Sequence, residues 1–354
     1  MKFQNEVNFI KEKFEYKLVW KDSIIFPQLE STDKVRIDTV EAERGQILDR
    51  NGKVLAGKGV ASSVGLVPGK IQDKENTIIK LAELLEVDID VIKNKLSAEW
   101  VKDDSFVPIK TIPKVSELEL MKINPDEDLV KLKENQEELL SIPGVMINDI
   151  EVRDYPLKES KRHIWLDIIQ KVTAEDLEEN KGKGYDSNSV IGRSGIESLY
   201  EDKLKGQNGC MIYIEDEFGN RKDIIVDKPV QNGEDIQLTI DAELQKVLYE
   251  QFKDDKSCSV AMNQYTGEVL ALVSTPSFNS NDFVMGMSDK LWKSLNEDER
   301  QPLYNRFRQV WCPGSTFKPV TAVIGLDTGI LDPVEDYGNE GLSWQKDSSW
   351  GIIM

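Results

Sequence analysis

The 354-residue chain has a single histidine, only three cysteines and no apolar run of the roughly 18 residues that a membrane span requires. Any Ser-His-Asp triad would have to use His163, and no serine motif points to it, so a nucleophilic serine here needs another base. Cys210, Cys258 and Cys312 are odd in number and far apart, which gives neither a disulfide framework nor zinc spacing. No metal or cofactor site is expected, and Cys312 reads as a small packing residue. Basic residues are in deficit, 45 against 64 acidic ones, for a net charge of −19. That balance argues against a nucleic-acid partner, which needs a basic face. The opening residues 1–14 lack the apolar core of a signal peptide. A membrane anchor, if the protein works outside the cytoplasm, is therefore expected upstream of residue 1.

What is present suits a folded chain of two or three domains: 39% hydrophobic and 31% charged residues. Residues 1–32 read as the end of another unit. Strand patterns begin at Val35, and Asn51-Gly52 between Ile47-Leu48 and Val54-Leu55 predicts a tight hairpin. Apolar residues at spacings of three and four predict helices over 75–85, 91–96, 115–123 and 127–140. Thr173 and Asp176 have the spacing of a helix cap. Glycines at 182, 184, 192, 195, 206 and 209 mark a loop-rich connector. A second unit starts near Gly233, with an extended entry over 235–240 and a helix capped by Asp241. It continues with a hairpin over 259–273 turning at Thr266-Gly267, then a helix from Ser315 to about Gly325 behind the Pro313-Gly314 break.

Ser315-Thr-Phe-Lys318 is an S-x-x-K tetrad. Residues three apart share a helix face, which sets a lysine amine beside a serine hydroxyl. The hydroxyl becomes a useful nucleophile when a neighbour takes its proton, and the positive end of the helix favours a developing oxyanion. A second tetrad, Ser31-Thr-Asp-Lys34, lacks the Pro-Gly break and the apolar run behind it and is read as coincidence.

The context of Ser315, with Asn305-Arg306, Cys312-Pro-Gly-Ser-Thr-Phe-Lys-Pro319, Leu238-Thr-Ile-Asp241 and Thr266-Gly-Glu-Val-Leu-Ala271, resembles the opening of a penicillin-binding protein transpeptidase domain. Arg44-Gly-Gln-Ile-Leu-Asp-Arg-Asn-Gly52, Arg153-Asp-Tyr-Pro156 and Gly192-Arg-Ser-Gly-Ile-Glu197 resemble the signatures of the class B non-penicillin-binding module. Val19-Trp20 to Phe26-Pro27 resembles the exit from the extra N-terminal domain of the low-affinity, methicillin-resistance type. The resemblance implies an α+β multidomain fold. Residues 1–32 would end an NTF2-like domain, 33–235 would form a dimerisation or pedestal module, and 236–354 would begin a β-lactamase-like serine transpeptidase domain.

It further implies Ser315 as acylated nucleophile and Lys318 as its proton acceptor. Arg44, Asp49, Arg50, Gly52, Gly192, Gly195 and Glu197 become structural signature residues, with Arg44 or Arg50 expected to ion-pair with Glu197. The implied partners are peptidoglycan stem peptides, β-lactams and cell-wall synthesis proteins, at the extracytoplasmic face of the bacterial membrane. A β-lactam-hydrolysing or -sensing enzyme and a non-catalytic scaffold are the alternatives; the long Arg44–Glu197 module argues against a hydrolase of small drugs. Two departures stand out. The run after His163 lacks the family's Gly-Tyr pair. The chain also ends soon after the Trp344–Gly351 pattern, with no S-x-N after Ser315 and no Lys-Thr-Gly anywhere. The expectation is a chain truncated inside the transpeptidase domain, without substrate-binding elements and inactive as it stands.

Overall fold

The computed structural model describes residues 5–122, 124–125, 127–156 and 169–336. His163 and the Trp344–Gly351 pattern lie outside them. Two compact units emerge, residues 1–307 and 308–354.

The larger unit opens with a hairpin, β1 (Phe9–Glu12) and β2 (Glu15–Leu18). Strand β3 (Lys34–Val40) lies at the edge of a three-stranded antiparallel sheet with β10 (Gly209–Glu215) and β11 (Arg221–Lys228). The Ser31–Lys34 tetrad runs into β3, so it lies on no helix.

The predicted 47–55 hairpin forms between β4 (Ile47–Leu48) and β5 (Val54–Leu66). Its turn is looser than a two-residue Asn-Gly turn. Only Gly52 has a positive φ, 79°. Asp49 closes the loop instead, its N–H donating to the Lys53 carbonyl while its carboxylate accepts from the N–H groups of Asn51 and Lys53.

Strand β5 continues as the centre of a sheet, between β6 (Val107–Pro113) and β7 (Val145–Asp154). Helices α1 (Lys74–Leu85), α2 (Ile89–Leu96) and α4 (Glu127–Ser141) form where the apolar spacing predicts them. The 115–123 pattern yields only the short α3 (Glu117–Leu120). Leu81, Ile92, Leu139, Val64 and Leu66 meet in one core; each fully buried aliphatic side chain contributes roughly 1.5–3 kcal/mol.

The chain then pairs β8 (Ile169–Lys171) with β9 (Val190–Gly192) around α5 (Ala174–Glu179), which carries the expected capping box at Thr173 and Asp176. Two short helices, α6 (Gly195–Leu199) and α7 (Glu201–Leu204), follow. The glycine-rich stretch is thus more than a connector: it holds a strand and two helices. After β11, strand β12 (Ile236–Gln237) returns to pair parallel with β4. Helix α8 (Ala242–Phe252) starts at Asp241 as predicted, and the 259–273 hairpin forms from β13 (Ser257–Met262) and β14 (Val269–Thr275). Helices α9 (Ser280–Val284) and α10 (Asp289–Glu297) complete this unit. No helix among the described residues is long and apolar enough to cross a membrane.

Candidate functional site

Arg44, Arg153 and Glu197, one from each of the three early motifs, meet in the interior of the larger unit. Glu197 is completely buried. Its Oε2 accepts from Arg44 Nε (2.9 Å) and Nη2 (2.7 Å), and its Oε1 from Arg153 Nε (2.8 Å) and the Tyr155 hydroxyl (3.2 Å). Arg153 Nη1 also donates to the Gly45 carbonyl at 2.8 Å. Arg44 has a second carboxylate, Glu201, at 2.7 Å, whose other oxygen accepts from Tyr185. Two arginines thus face two glutamates, which is how buried charge is tolerated. Burial pulls the Arg44 guanidinium down, but Glu201 and Glu197 outweigh it and hold it above its ordinary value. Burial first, and then the Glu197 charge, push the Tyr155 hydroxyl far above its usual range.

The signature glycines let backbones approach each other. A Cβ on Gly45 would fall 2.0 Å from the Glu234 carbonyl oxygen, and one on Gly192 would fall 2.3 Å from that of Glu197. Gly195 starts α6 at φ 61°. Arg193, inside the same signature, forms a bidentate pair with Asp176 at 2.6 Å to each oxygen. Arg193, followed by the Thr173 N–H and hydroxyl, holds the Asp176 carboxyl far below its ordinary range. Neither this pair nor Glu201 was singled out from the sequence. The Arg193-to-Asp176 separation is 17 residues, too long for a local spacing rule to reveal.

The expectation that Arg44 or Arg50 pairs with Glu197 is met by Arg44 alone. Arg50 lies instead 3.7 Å from Glu268, in the turn between β13 and β14. The whole 49–53 loop is fixed to the later part of the chain. The buried Asp49 carboxylate accepts the Ala242 N–H, the first of α8, at 3.2 Å, and the Arg50 N–H donates to the Ile240 carbonyl at 2.9 Å. Asp49 therefore caps α8 together with Asp241. Burial raises the Asp49 carboxyl, but the N–H groups of Lys53, Ala242 and Asn51 outweigh it and leave it below its ordinary value. A second tie is Asn281 of α9. Its side chain accepts the Tyr155 N–H at 2.9 Å and donates to the Tyr155 carbonyl and to Asp154, both at 3.2 Å. Gln245 of α8 uses both ends of its amide on Leu272 of β14, closing that strand's outer edge as a neighbouring strand would.

Ser315 and Lys318 lie in the smaller unit. The expected helix has a two-part form: a 3-10 turn over Gly314–Phe317, then α11 (Lys318–Asp327). Residues three apart line up along a 3-10 helix, so the turn sets Ser315 and Lys318 on one side. Pro319 falls in the first turn of α11, where it displaces no helical hydrogen bond. Both residues are exposed. The Lys318 backbone N–H donates to the Ser315 carbonyl, and no side-chain hydrogen bond joins the two among the described residues. Cys312 is exposed as well, so its assignment as a packing residue is corrected. Val323, Ile324 and Val320 of α11 are also exposed.

A family profile for the penicillin-binding protein dimerisation domain matches residues 39–238, and one for the penicillin-binding protein transpeptidase domain matches residues 257–353. Penicillin-binding protein 3 of Bacillus subtilis (strain 168) is 41% identical over 337 residues, 95% of this chain and 47% of that protein. The peptidoglycan D,D-transpeptidase MrdA of Escherichia coli (strain K12) is 31% identical over 307 residues, covering 84% of this chain and 46% of the relative. The chain thus spans about half the length of the curated relatives it matches. Among solved structures, the Helicobacter pylori penicillin-binding protein PBP2 in complex with MreC shares the fold, with a TM-score of 0.60 at 21% identity over 88% of this chain and 58% of that one.

Proposed function

The chain belongs to the class B penicillin-binding proteins, and on that footing we propose that it supplies the nucleophile-bearing part of a peptidoglycan D,D-transpeptidase. The observation that carries this reading is the placement of Ser315 and Lys318 across the 3-10-to-α junction, inside the stretch resembling a transpeptidase domain. The Ser315 hydroxyl attacks the carbonyl of the penultimate D-alanine of a stem peptide while Lys318 accepts its proton. Collapse of the tetrahedral intermediate expels the terminal D-alanine, whose amine takes up a proton, and leaves an acyl-serine ester. An amine from a neighbouring strand then attacks that ester, forms the cross-link and frees Ser315. β-Lactams enter by the same first step.

The proposed partition is 1–32 as the end of an NTF2-like domain, 33–235 as the pedestal, and 236–354 as the first part of the transpeptidase domain. Arg44, Asp49, Arg50, Gly52, Gly192, Gly195 and Glu197 act as pedestal-building residues in this reading. The motif at 19–27 supports the low-affinity, methicillin-resistance type. The protein works at the extracytoplasmic face of the membrane on stem peptides. Cell-wall synthesis proteins are proposed partners, as MreC is for the Helicobacter pylori relative.

The test is a fluorescent penicillin added to protein carrying a transpeptidase domain of the relatives' length. Mass spectrometry should place a stable adduct on the peptide containing Ser315, and Ser315→Ala should abolish it. An adduct that persists in Ser315→Ala refutes the assignment. Rapid release of the label indicates a lactamase, and absence of label a scaffold.

A further inference from the structure

A cleft of about 550 Å³ opens between the 182–185 loop, α7 and the 228–234 segment, with Tyr185 in its lining. Four lysines line it, Lys183, Lys203, Lys205 and Lys228, against two carboxylates, Asp202 and Glu234. This is a local excess of positive charge in a chain whose net charge is −19. Many lysines elsewhere pair with carboxylates, as Lys58 does with Glu43 and Glu151. None of these four has an ion pair among the described residues. Lys205 is set deepest. Its Nζ stands 3.7 Å from the centre of the Tyr185 ring. On the loop side the ammonium donates to the Lys183 carbonyl, and the Lys183 ammonium donates to the Asn180 side-chain oxygen at 3.1 Å, so each keeps further N–H groups for a ligand. Burial holds the Lys205 ammonium below its ordinary value, against the opposing influence of Glu201, Asp202 and Asp186.

Neutral donors converge on the same space. Asn208 and Asn232 both line the cleft. Each commits its side-chain oxygen to a backbone N–H, of Ala42 at 2.9 Å and of Glu43 at 3.1 Å. Those bonds leave the two NH₂ groups as the donors available to the cleft. An adjoining recess shares Gly184, Lys205 and Asn208 and is lined by Arg44, whose buried Nη1 has no hydrogen-bond partner among the described residues. Glu41 and Asp186 in that recess offset the charge there, which leaves the four-lysine side as the place for an anion.

We propose that this cleft binds a phosphate-type anion, a mono- or diphosphate group held by the four ammonium groups and the two asparagine NH₂ groups. A compact, multiply charged oxyanion answers both features of the lining: point charges that need no directional match, and amide donors that do. The group can be presented free in solution or as a lipid headgroup.

The experiment uses the whole chain with two probes, inorganic pyrophosphate by calorimetric titration and vesicles of phosphatidic acid in phosphatidylcholine by co-sedimentation. Lys203 and Lys228 are exposed, so the pair of changes Lys203→Gln and Lys228→Gln leaves the fold intact; an unchanged circular dichroism melt verifies this. That double variant should bind about tenfold more weakly, the scale of two lost exposed charge interactions, and binding should weaken with added salt. Lys11→Gln with Lys13→Gln, on the first hairpin and outside the cleft lining, should bind as the unaltered chain does. Lysine-dependent binding of pyrophosphate supports a soluble phosphate ligand; lysine-dependent binding of vesicles alone supports a headgroup. Binding of neither probe, or equal binding by the double variant, overturns the proposal.

Discussion

Replacing Glu197 with alanine tests the buried ion network most directly. The carboxylate is fully buried and accepts four hydrogen bonds, from Arg44, Arg153 and Tyr155. After Glu197→Ala, Arg44 still has Glu201 at 2.7 Å. Arg153, whose side chain is only 3% exposed, keeps just the Gly45 carbonyl among the described residues. An uncompensated buried guanidinium therefore remains, and breaking a buried pair on one side costs about 3–5 kcal/mol. For a module of this size that corresponds to a fall in melting temperature of roughly 10 °C. Scanning calorimetry on the whole chain should show the fall. A double-mutant cycle between Arg153→Ala and Glu197→Ala should return a coupling of about 2–3 kcal/mol. The corresponding cycle with Arg44→Ala should return less, because Glu201 stays behind as a partner. A loss below about 1 kcal/mol in Glu197→Ala would refute the reasoning, since it would mean that water or a rearranged side chain satisfies Arg153.

Asp49→Asn should change the acid side of the stability profile. The folded Asp49 carboxyl lies below its ordinary value of 3.8, so its contribution is full above that pH and disappears as pH falls through the lower folded value. The variant should lose stability near neutrality and show a shallower decline below about pH 4; identical acid limbs would rule out the capping role. Asn281→Ala strands the buried Tyr155 N–H and carbonyl, and should cost about 1–3 kcal/mol and speed proteolysis within residues 280–285. Unchanged cleavage there would remove Asn281 as the tie between α9 and Tyr155. In the penicillin-labelling assay, Lys318→Ala should slow acylation by about 10²-fold or more. Lys318→Arg should fail as well, because arginine does not give up its proton; near-normal acylation by Lys318→Arg would dismiss lysine as the proton acceptor.

Much of this protein was legible as local pattern. The helices α1, α2, α4 and α8, the Asp241 and Thr173 caps and the two hairpins follow from spacing and turn chemistry within a few residues. The tetrad and the early signatures carried the resemblance to the penicillin-binding proteins for the same reason, since each is a short contiguous string. Strands β6 and β7 were not legible. Pro108 and Pro113 argue against a strand, yet β6 forms because it lies at the sheet edge, where the missing N–H groups cost least. Which arginine reaches Glu197 was equally undetermined: Arg44 and Arg50 carry the same charge six residues apart, and it took the packing of β12 on β4 and of the 49–53 loop on residues 240–242 to set Arg50 beside Glu268 and Arg44 against Glu197. Glu201 and the Arg193–Asp176 pair were invisible for a related reason. A charged residue in a string looks the same whether it ends in water or in the core, and its partner is fixed by how distant segments pack. The sequence alone therefore determined the elements and the family signatures. The tertiary structure decided which charges are buried, which partners they take, and where four lysines gather in an acidic chain, because burial and long-range electrostatics are properties of assembled surfaces.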